Sequence, residues 1–485
     1  MPENTVELTR ATPESTGISS KDILNFVESI EGADLELHSL MILKDRQVVA
    51  EGWWKPYRKD DVHLLYSLSK SFTSTAIGFA VQEGLLTIDD LVVTHFADDL
   101  PANVSDNLKA MKVRHLLSMA TGHSSDTFGM MHSQEDGDWA KGFLKCEVTH
   151  EPGTHFLYNS GATYMLSAII SRVTGMCTLD YLRPRLLDPL GIEQATWTKC
   201  PKGVSVGASE MSVTTESIAR FGQFYLDGGV WNGERLLDAA WIADATQSHV
   251  SNGSNPDSDW EQGYGFQFWR CRHNCYRGDG AFGQYCIVMP GSQMVVAMTS
   301  SLSNMQAVMD LVWTHLLTPA QPSAISEDSQ SVDALRAKLA SLKLAGIPKR
   351  PIPSIIPHIS GRMYKPTGGD SGFLSCIIDF DPNGATFTVR TESGDRSIRA
   401  GANQWINGVT SIEGGPGKRI AATGGWVSDD TYEFKVRYTL SPSGLTITCK
   451  FDGDSVQVEF TRTSRFMPPE GPVFEGRTTS VVRAA

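Results

Sequence analysis

Hydrophobic and polar positions follow different patterns in the two parts of this chain. In the first part, two β-rich runs flank a polar turn at residues 44–46, which predicts a hairpin over 37–52. Helices are predicted for the apolar segments that end at a glycine, namely 67–83, 114–121 and 162–174. Strands and a closing helix are predicted over 263–269, 281–289, 293–300 and 305–317. A sheet built from both ends of this region, with helices between, indicates an α+β domain.

The pattern changes near residue 320. Residues 319–330 are polar and contain prolines, which predicts a linker, and a short helix is expected over 332–344. From residue 361, short strands separated by Gly, Asp and Asn turns predict a small antiparallel barrel or sandwich, with 466–485 as an extended arm. The expected organisation is a first domain over 1–320, a linker with a short helix over 321–350, and a β-rich domain over 351–485.

Charge and composition exclude several classes of protein. The chain has 485 residues and a formal net charge of −13, and this acidity argues against nucleic-acid and anionic-membrane partners. It contains no run of 18 apolar residues, so no transmembrane helix is expected. The N-terminus lacks the basic and apolar pattern of a secretory signal, which predicts a cytoplasmic location. Self-association into a homo-oligomer is left open.

The eight cysteines are scattered and form no Cys-x-x-Cys pair, so buried free thiols are expected. The local group Cys271, His273 and Cys275 invites a zinc interpretation, but two further ligands are not in sight. Strand-like segments on either side of this group favour a hairpin with two cross-strand thiols. We therefore expect no metal and no organic cofactor.

The first candidate for chemistry is the run Ser67-Leu68-Ser69-Lys70. A serine hydroxyl is a poor nucleophile unless a base lies beside it. Residues three apart on a helix share a face, which brings Lys70 within reach of Ser67. Apolar neighbours such as Leu65 and Phe72 would desolvate the lysine, and burial favours its neutral, proton-accepting form. Because Ser-x-x-Lys occurs by chance in many helices, its sequence context decides its meaning.

That context resembles the serine β-lactamase and penicillin-binding-protein-like family, in particular its branch of class C β-lactamases, family VIII-type esterases and D-aminopeptidases. The family uses Ser-x-x-Lys at the start of a central helix. The segments that carry the resemblance, in the family's order, are 66–90, 113–122, 152–161 and 278–284. They extend over about the first 320 residues and leave the C-terminal third uncovered. The resemblance implies the family's fold, an antiparallel sheet flanked by helices plus an all-helical lobe, here followed by the separate β-barrel-like domain.

The family's second motif is Tyr-x-Asn, whose tyrosine is a general base close to the serine. Here Tyr158-Asn159-Ser160 keeps the tyrosine but has a serine at the asparagine position. The resemblance implies that Tyr158 is a catalytic partner and that Asn159 and Ser160 lie at the substrate-binding edge. Lys70 and Tyr158 would titrate as a pair. Which of the two takes the proton from Ser67 stays open at this point.

The family's third motif is Lys/His-Thr/Ser-Gly on a strand that lines the site. Gly278-Asp279-Gly280 occupies this place with neither the cation nor the hydroxyl. The resemblance implies that the N–H groups of Ala281 and Ser67 form the oxyanion hole, a role that needs no side chain. An unpaired Asp279 at the pocket edge would favour neutral or amine-bearing substrates over carboxylates. Pairing of Asp279 with Arg277 is the alternative.

The prediction from sequence is a serine hydrolase that cleaves a small ester or amide through an acyl-enzyme on Ser67. One alternative is a true β-lactamase or D,D-peptidase, which needs a cation near the third motif, where only Arg277 is available. The other alternative is a non-catalytic member of the fold that binds a ligand or a partner. This last alternative predicts no covalent labelling of Ser67.

Overall fold

The structure is a computed structural model that describes residues 7–317, 324–368, 372–463 and 469–478. The chain divides into two compact units. The first unit comprises Met1–Gly52 and Val62–Ser341, and the second comprises Trp53–Asp61 and Leu342–Ala485. The division thus falls after the helix that follows the expected linker, and the second unit includes a segment from near the N-terminus. Residues 321–323 of the expected linker lie outside the described residues.

The first unit contains a sheet of six strands among the described residues. The strands of this unit are β1 (Leu37–Lys44), β2 (Gln47–Trp53), β3 (His63–Leu64), β4 (Thr196–Trp197), β5 (Met211–Val213), β6 (Val230–Trp231), β7 (Glu234–Arg235), β8 (Trp269–Arg270), β9 (Tyr276–Gly280), β10 (Gln284–Met289) and β11 (Met294–Ser300). The sheet order is β2-β1-β11-β10-β9-β8. Its central strands β1, β10 and β11 are buried along their whole length, as expected for a sheet covered on both faces. Both ends of the unit supply strands, as the sequence predicts.

Helices of the first unit cover this sheet. Most of them lie in the chain between β2 and β8, the last early strand and the first late strand of the sheet. They are α1 (Ser20–Gly32), α2 (Ser69–Gln82), α3 (Asp106–Ala110), α4 (Val113–Leu117), α5 (Phe128–His132), α6 (Trp139–Leu144), α7 (Ser160–Thr174), α8 (Thr178–Leu182), α9 (Thr215–Leu226), α10 (Ala239–Thr246), α11 (Met305–His315) and α12 (Ser329–Ser341). Residues 69–80 of α2 are all buried, so this helix has no solvent face. Among the described residues, none of these helices has the length and apolarity needed to cross a membrane.

Several of the predicted elements are shorter in the structure; the strand expected over 281–289, for example, begins only at Gln284, after a turn. The segment 263–269 was expected to be a strand, but only Trp269 and Arg270 pair in β8. Gln267 has a φ of 64°, which breaks the pleat, and its side-chain amide donates to the carbonyls of α4. The helix expected over 114–121 ends at Leu117, because Met119 also adopts a left-handed conformation with a φ of 57°.

The described residues of the second unit form a β-barrel with one short helix, α13 (Ile356–Ile359). Its strands are β12 (Met363–Pro366), β13 (Ser375–Asp381), β14 (Gly384–Thr391), β15 (Gly394–Ala402), β16 (Ile406–Thr410), β17 (Lys418–Trp426), β18 (Thr431–Tyr438), β19 (Gly444–Asp452), β20 (Ser455–Arg462) and β21 (Glu470–Thr478). Parallel pairing of Gly401 with Thr423 joins β15 to β17 and closes a ring of nine described strands. Burial alternates along β18, with apolar residues inside.

The chain terminus departs from the expectation of an extended arm. Residues 470–478 form β21, which pairs with both β12 and β20 and is therefore part of the barrel wall. The expectation was wrong for these residues, because full closure removes an exposed strand edge that an arm would leave. The other residues of 466–485 lie outside the described residues, except for 469.

Candidate active site

Ser67 lies in a single 3-10 turn, Tyr66–Leu68, that leads directly into α2. Tyr66 has a φ of 47°, an uncommon conformation for a residue other than glycine. Such backbone strain is typical of sites where the surrounding structure holds a functional group in place. The Ser67 side chain is partly exposed, whereas Lys70, one turn further along, is 2% exposed.

Three oxygen atoms surround the Lys70 amine. Its Nζ donates to Ser67 Oγ at 3.0 Å, to Ser160 Oγ at 3.3 Å and to the carbonyl oxygen of Ala208 at 2.8 Å. Burial lowers the pKa of Lys70 to about 7, although the carboxylates of Asp126 and Asp279 act in the opposite direction. A large fraction of this amine is therefore neutral near pH 7 and can accept a proton from Ser67.

Tyr158 is also brought close to Ser67, and this serine is one of the neighbours that act on the pKa of the phenol. Lys70 Nζ lies 4.9 Å from the centroid of the Tyr158 ring. The ring of Trp269 stacks on the same tyrosine, with the two ring centroids 5.3 Å apart. Burial and the Asp279 carboxylate raise the pKa of Tyr158, and the nearby Ser67 hydroxyl opposes this shift. The phenol is thus neutral at ordinary pH, which favours Lys70 as the group that takes the first proton.

The two residues after Tyr158 lie in different surroundings, and Asn159 departs from the expectation. Asn159 was expected to contact substrate, but it is completely buried and caps α7. Its Oδ1 accepts from the backbone N–H of Gly161 at 3.0 Å, and from the N–H and the hydroxyl of Thr127 at 3.1 and 2.9 Å. Ser160, in contrast, reaches the Lys70 amine with its hydroxyl.

The sequence reasoning missed Asp126. This exposed carboxylate accepts the backbone N–H of Ser160 at 3.0 Å through Oδ1, and it raises the pKa of Lys70. A negative charge at the first residue of α7 is favourable because the helix N-terminus presents unpaired N–H groups. Asp126 lies 34 residues before Ser160 and in no motif, so no local pattern marks it.

The glycines of the third motif lie against the turn that holds the nucleophile. A Cβ added at Gly280 would lie 1.9 Å from the carbonyl oxygen of Leu65 and 3.1 Å from the amide nitrogen of Ser67. A Cβ at Gly278 would lie 2.5 Å from the side chains of both Leu68 and Ser71. Only glycine permits this approach, which brings the backbone of β9 to the N–H of the nucleophile.

The turn after β9 carries the second expected oxyanion donor, Ala281. Ala281 directly follows Gly280, and Phe282 after it has a φ of 67°. The ring of Phe282 meets that of Tyr66 edge-on, with centroids 5.5 Å apart. Two strained residues thus stand beside the two backbone N–H groups, those of Ser67 and Ala281, that we expect to hold an oxyanion.

Asp279 is paired, which corrects the expectation of a lone carboxylate. Its Oδ2 accepts from Arg277 Nε at 2.8 Å, and the side chains are 7% and 0% exposed, respectively. The Arg277 guanidinium also lies 4.3 Å from the ring of Trp260. Residues i and i+2 of a strand share a face, which explains why β9 presents this pair on one side and its two glycines on the other.

The Cys271 and Cys275 group has no metal-binding arrangement. All eight cysteines are buried and free, and Cys271 Sγ accepts from Arg277 Nη1 at 3.1 Å. In the part of the chain that the structure describes, no cluster of three or more His, Cys, Asp or Glu residues could hold a metal ion.

The six-stranded sheet, its helices and the Ser-x-x-Lys helix start together define a β-lactamase-like protein. The family model described as Beta-lactamase matches residues 32–317, more than half of the chain. The chain therefore belongs to the beta-lactamase family, and the resemblance drawn from the sequence motifs is confirmed.

The proteins to which this chain is similar include hydrolases. The 6-aminohexanoate-dimer hydrolase of Paenarthrobacter ureafaciens is 27% identical over 289 residues, which is 54% of this chain and 72% of that protein. A provisionally named D-alanyl-D-alanine carboxypeptidase of Escherichia coli O157:H7 is 24% identical over 43% of this chain, and the chain spans only 55% of its length. The crystal structure of SurE with D-Leu matches with a TM-score of 0.50 and 17% identity, over 95% of this chain and 99% of that one.

Proposed function

We propose that this protein is a serine hydrolase that cleaves a small ester or amide through an acyl-enzyme on Ser67. The observation that carries the proposal is the 3.0 Å contact between Lys70 Nζ and Ser67 Oγ, with the pKa of Lys70 lowered to about 7. A nucleophile and a base with a matched pKa are then hydrogen-bonded to each other, and a neutral phenol lies beside the base.

In the acylation step, Ser67 Oγ attacks the substrate carbonyl carbon while its proton passes to the neutral amine of Lys70. The N–H groups of Ser67 and Ala281 stabilise the negative charge that develops on the carbonyl oxygen. Tyr158 donates its proton to the leaving group as the bond to the carbonyl carbon breaks, and it is reprotonated from Lys70. A water molecule then attacks the acyl-enzyme, its proton passes to the same pair, and Ser67 is released with its own proton restored.

The amide side of this proposal is supported by the similarity to a 6-aminohexanoate-dimer hydrolase. A β-lactamase or D,D-peptidase would use the same steps on a substrate that carries a carboxylate. That activity is disfavoured because the Arg277 guanidinium is completely buried and already paired with Asp279. The non-catalytic alternative is opposed by the lowered pKa of Lys70, since a binding module has no need of a buried neutral amine beside a serine.

The experiment is active-site labelling with a fluorophosphonate, followed by peptide mass spectrometry. The adduct should lie on the peptide that contains Ser67, and Ser67→Ala should remove both the adduct and the turnover of nitrophenyl esters. Ser133→Ala, a change at an exposed serine of the same unit, is the matched control and should retain both. An adduct on another serine, or none, overturns the proposal, and rapid nitrocefin turnover would favour the β-lactamase alternative.

A further inference from the structure

We propose that Gln267 is a positioning residue of the active site, which holds the helix of Lys70 and the helix of Ser160 at the separation that their contact requires. Gln267 is 2% exposed, so it acts through the elements it joins and not on a substrate. Those elements are α2, α7 and the end of α4. This inference rests on the proposed function and concerns how the same site is kept in its reactive geometry.

The side-chain amide of Gln267 joins α7 to α4. Its Oε1 accepts from the hydroxyl of Thr163 on α7 at 2.7 Å. Its Nε2 donates to the carbonyl oxygens of Leu116 and Leu117 at 3.0 and 2.8 Å. These are the last two residues of α4, and the last carbonyls of a helix have no partner within it. Thr163 is three residues after Ser160, so the contact on α7 lies on the face that carries Ser160.

The backbone of Gln267 attaches α2 to the same group. Its carbonyl oxygen accepts from Ser71 Oγ at 2.8 Å, and Ser71 directly follows Lys70 in α2. One buried residue thus connects α2 beside Lys70 with α7 one turn after Ser160. The Lys70 amine and the Ser160 hydroxyl are 3.3 Å apart, close to the upper limit for a hydrogen bond. A small separation of the two helices would therefore break this contact.

The backbone conformation at Gln267 supports a functional role for the connection. Its φ of 64° lies in the left-handed region, which is unfavourable for a residue with a Cβ. Such strain is common where the surrounding structure holds an active site in place. Trp269, two residues later, stacks on the ring of Tyr158. The segment that Gln267 anchors therefore also supports the phenol. Glycine would adopt the same φ without cost, but it would lack the amide that joins the helices.

Loss of this connection should act on the base. Burial is the main cause of the lowered pKa of Lys70, so helices that separate would admit water to the amine and raise this pKa. The two carboxylates that act on Lys70, Asp126 and Asp279, keep their charges when Gln267 is replaced. The loss should appear in kcat, because a residue that touches no substrate contributes little to substrate binding.

The test measures the hydrolysis of a neutral nitrophenyl ester by Gln267→Gly, together with melting curves. We expect kcat to fall by about tenfold to hundredfold while KM changes by about threefold or less. The pH at which kcat/KM rises should move to a higher value than in the wild type. Tyr225→Phe is the matched control, since it removes a buried hydroxyl that lies 2.7 Å from Thr75 Oγ1 on the same helix α2. It should leave kcat and the pH profile unchanged.

A second variant is needed because Gln267→Gly leaves two carbonyls of α4 without their donor and is expected to lower stability. Thr163→Val replaces one hydroxyl by a methyl group, keeps Gln267 and removes only the connection to α7. It should shift the pH profile in the same direction by a smaller amount. An unchanged pH profile in Thr163→Val, or wild-type kcat in a folded Gln267→Gly, overturns the inference. Failure of fluorophosphonate to label Ser67 in the wild type would instead overturn the proposed function, so the two failures are distinguishable.

Discussion

The amine of Lys70 lies 3.0 Å from the hydroxyl of Ser67, and its other two hydrogen-bond partners are also uncharged oxygens. A lysine that is ion-paired with a carboxylate would stay protonated, whereas burial lowers the pKa of this amine to about 7. The contact therefore joins a nucleophile to a base that is ready to accept its proton.

Lys70→Ala and Tyr158→Phe should each lower kcat/KM by at least ~10²-fold, the usual scale for a positioned acid or base. The double variant should be much less than multiplicatively worse, because both residues handle the same proton. Steady-state kinetics on one neutral ester, with melting curves for all variants, would measure this. Losses in activation free energy that simply add would show that the two residues do separate jobs.

The pH dependence should follow the protonation of Lys70. Only the neutral amine accepts a proton. For a neutral ester, kcat/KM should therefore be low at acid pH and increase as the pH is raised through about 7. Asp126 raises the pKa of Lys70, so Asp126→Asn should move this acid limb to lower pH. Asp106→Asn, whose side chain is 98% exposed on α3, is the control and should leave the limb in place. A shift of the acid limb to higher pH in Asp126→Asn would contradict the assignment of this limb to Lys70.

Gly280→Ala should abolish most of the activity and lower stability. The new Cβ would lie 1.9 Å from the Leu65 carbonyl oxygen, which belongs to the backbone and cannot rotate away. The expected loss is about 1–3 kcal/mol in the free energy of unfolding, measured by urea denaturation. Gly291→Ala is the matched control, since nothing lies within 4 Å of its added Cβ. Equal stability of the two variants would contradict the close approach of β9.

Removal of residues 342–485 should damage the remaining chain as well. Trp54 and Tyr57 are 3% and 4% exposed in a segment that belongs to the second unit. Lys55 exchanges backbone hydrogen bonds with Leu342 and Leu344, at 3.1 and 2.8 Å. A chain that ends at Ser341 would expose both aromatic side chains just before the strand that leads to the nucleophile.

Limited proteolysis should therefore cut the truncated chain within residues 53–61, and fluorophosphonate labelling of Ser67 should fall. In the full chain, Arg419→Ala removes only one exposed ion pair to Asp61 and is expected to cost at most about 1 kcal/mol. If the truncated chain resisted proteolysis and were labelled as fast as the full chain, residues 53–61 would not need residues 342–485 to stay folded.

The parts of the site that are close in sequence could be predicted. Ser67 and Lys70 are three residues apart at a helix start, and helical geometry alone brings them together. The hairpin over 37–52 followed from two β-rich runs around a short turn, and the structure has β1 and β2 there. The alternating strands of the C-terminal part also predicted a barrel or sandwich, because alternation marks strands with one buried face.

Positions that depend on packing could not be predicted in this way. Ser160 reaches Lys70 across 90 residues, and Asp126 acts on the same amine from a loop without a motif. Asn159 stands in the tyrosine motif, but it caps α7 instead of meeting substrate. Motif spacing does not state which way a side chain points, since that depends on which helix or loop packs beside it.

The sequence by itself determined the family, the order of the elements and the local pair Ser67 and Lys70, because these depend on short-range periodicity and spacing. Only the tertiary structure decided that the amine is buried, that Asp279 is paired with Arg277, and that residues 53–61 belong to the barrel unit. The physical reason is that burial, and the choice between two side-chain arrangements that are both possible locally, depend on neighbours from distant parts of the chain. Those neighbours are set by the packing of the whole fold, which no local pattern encodes.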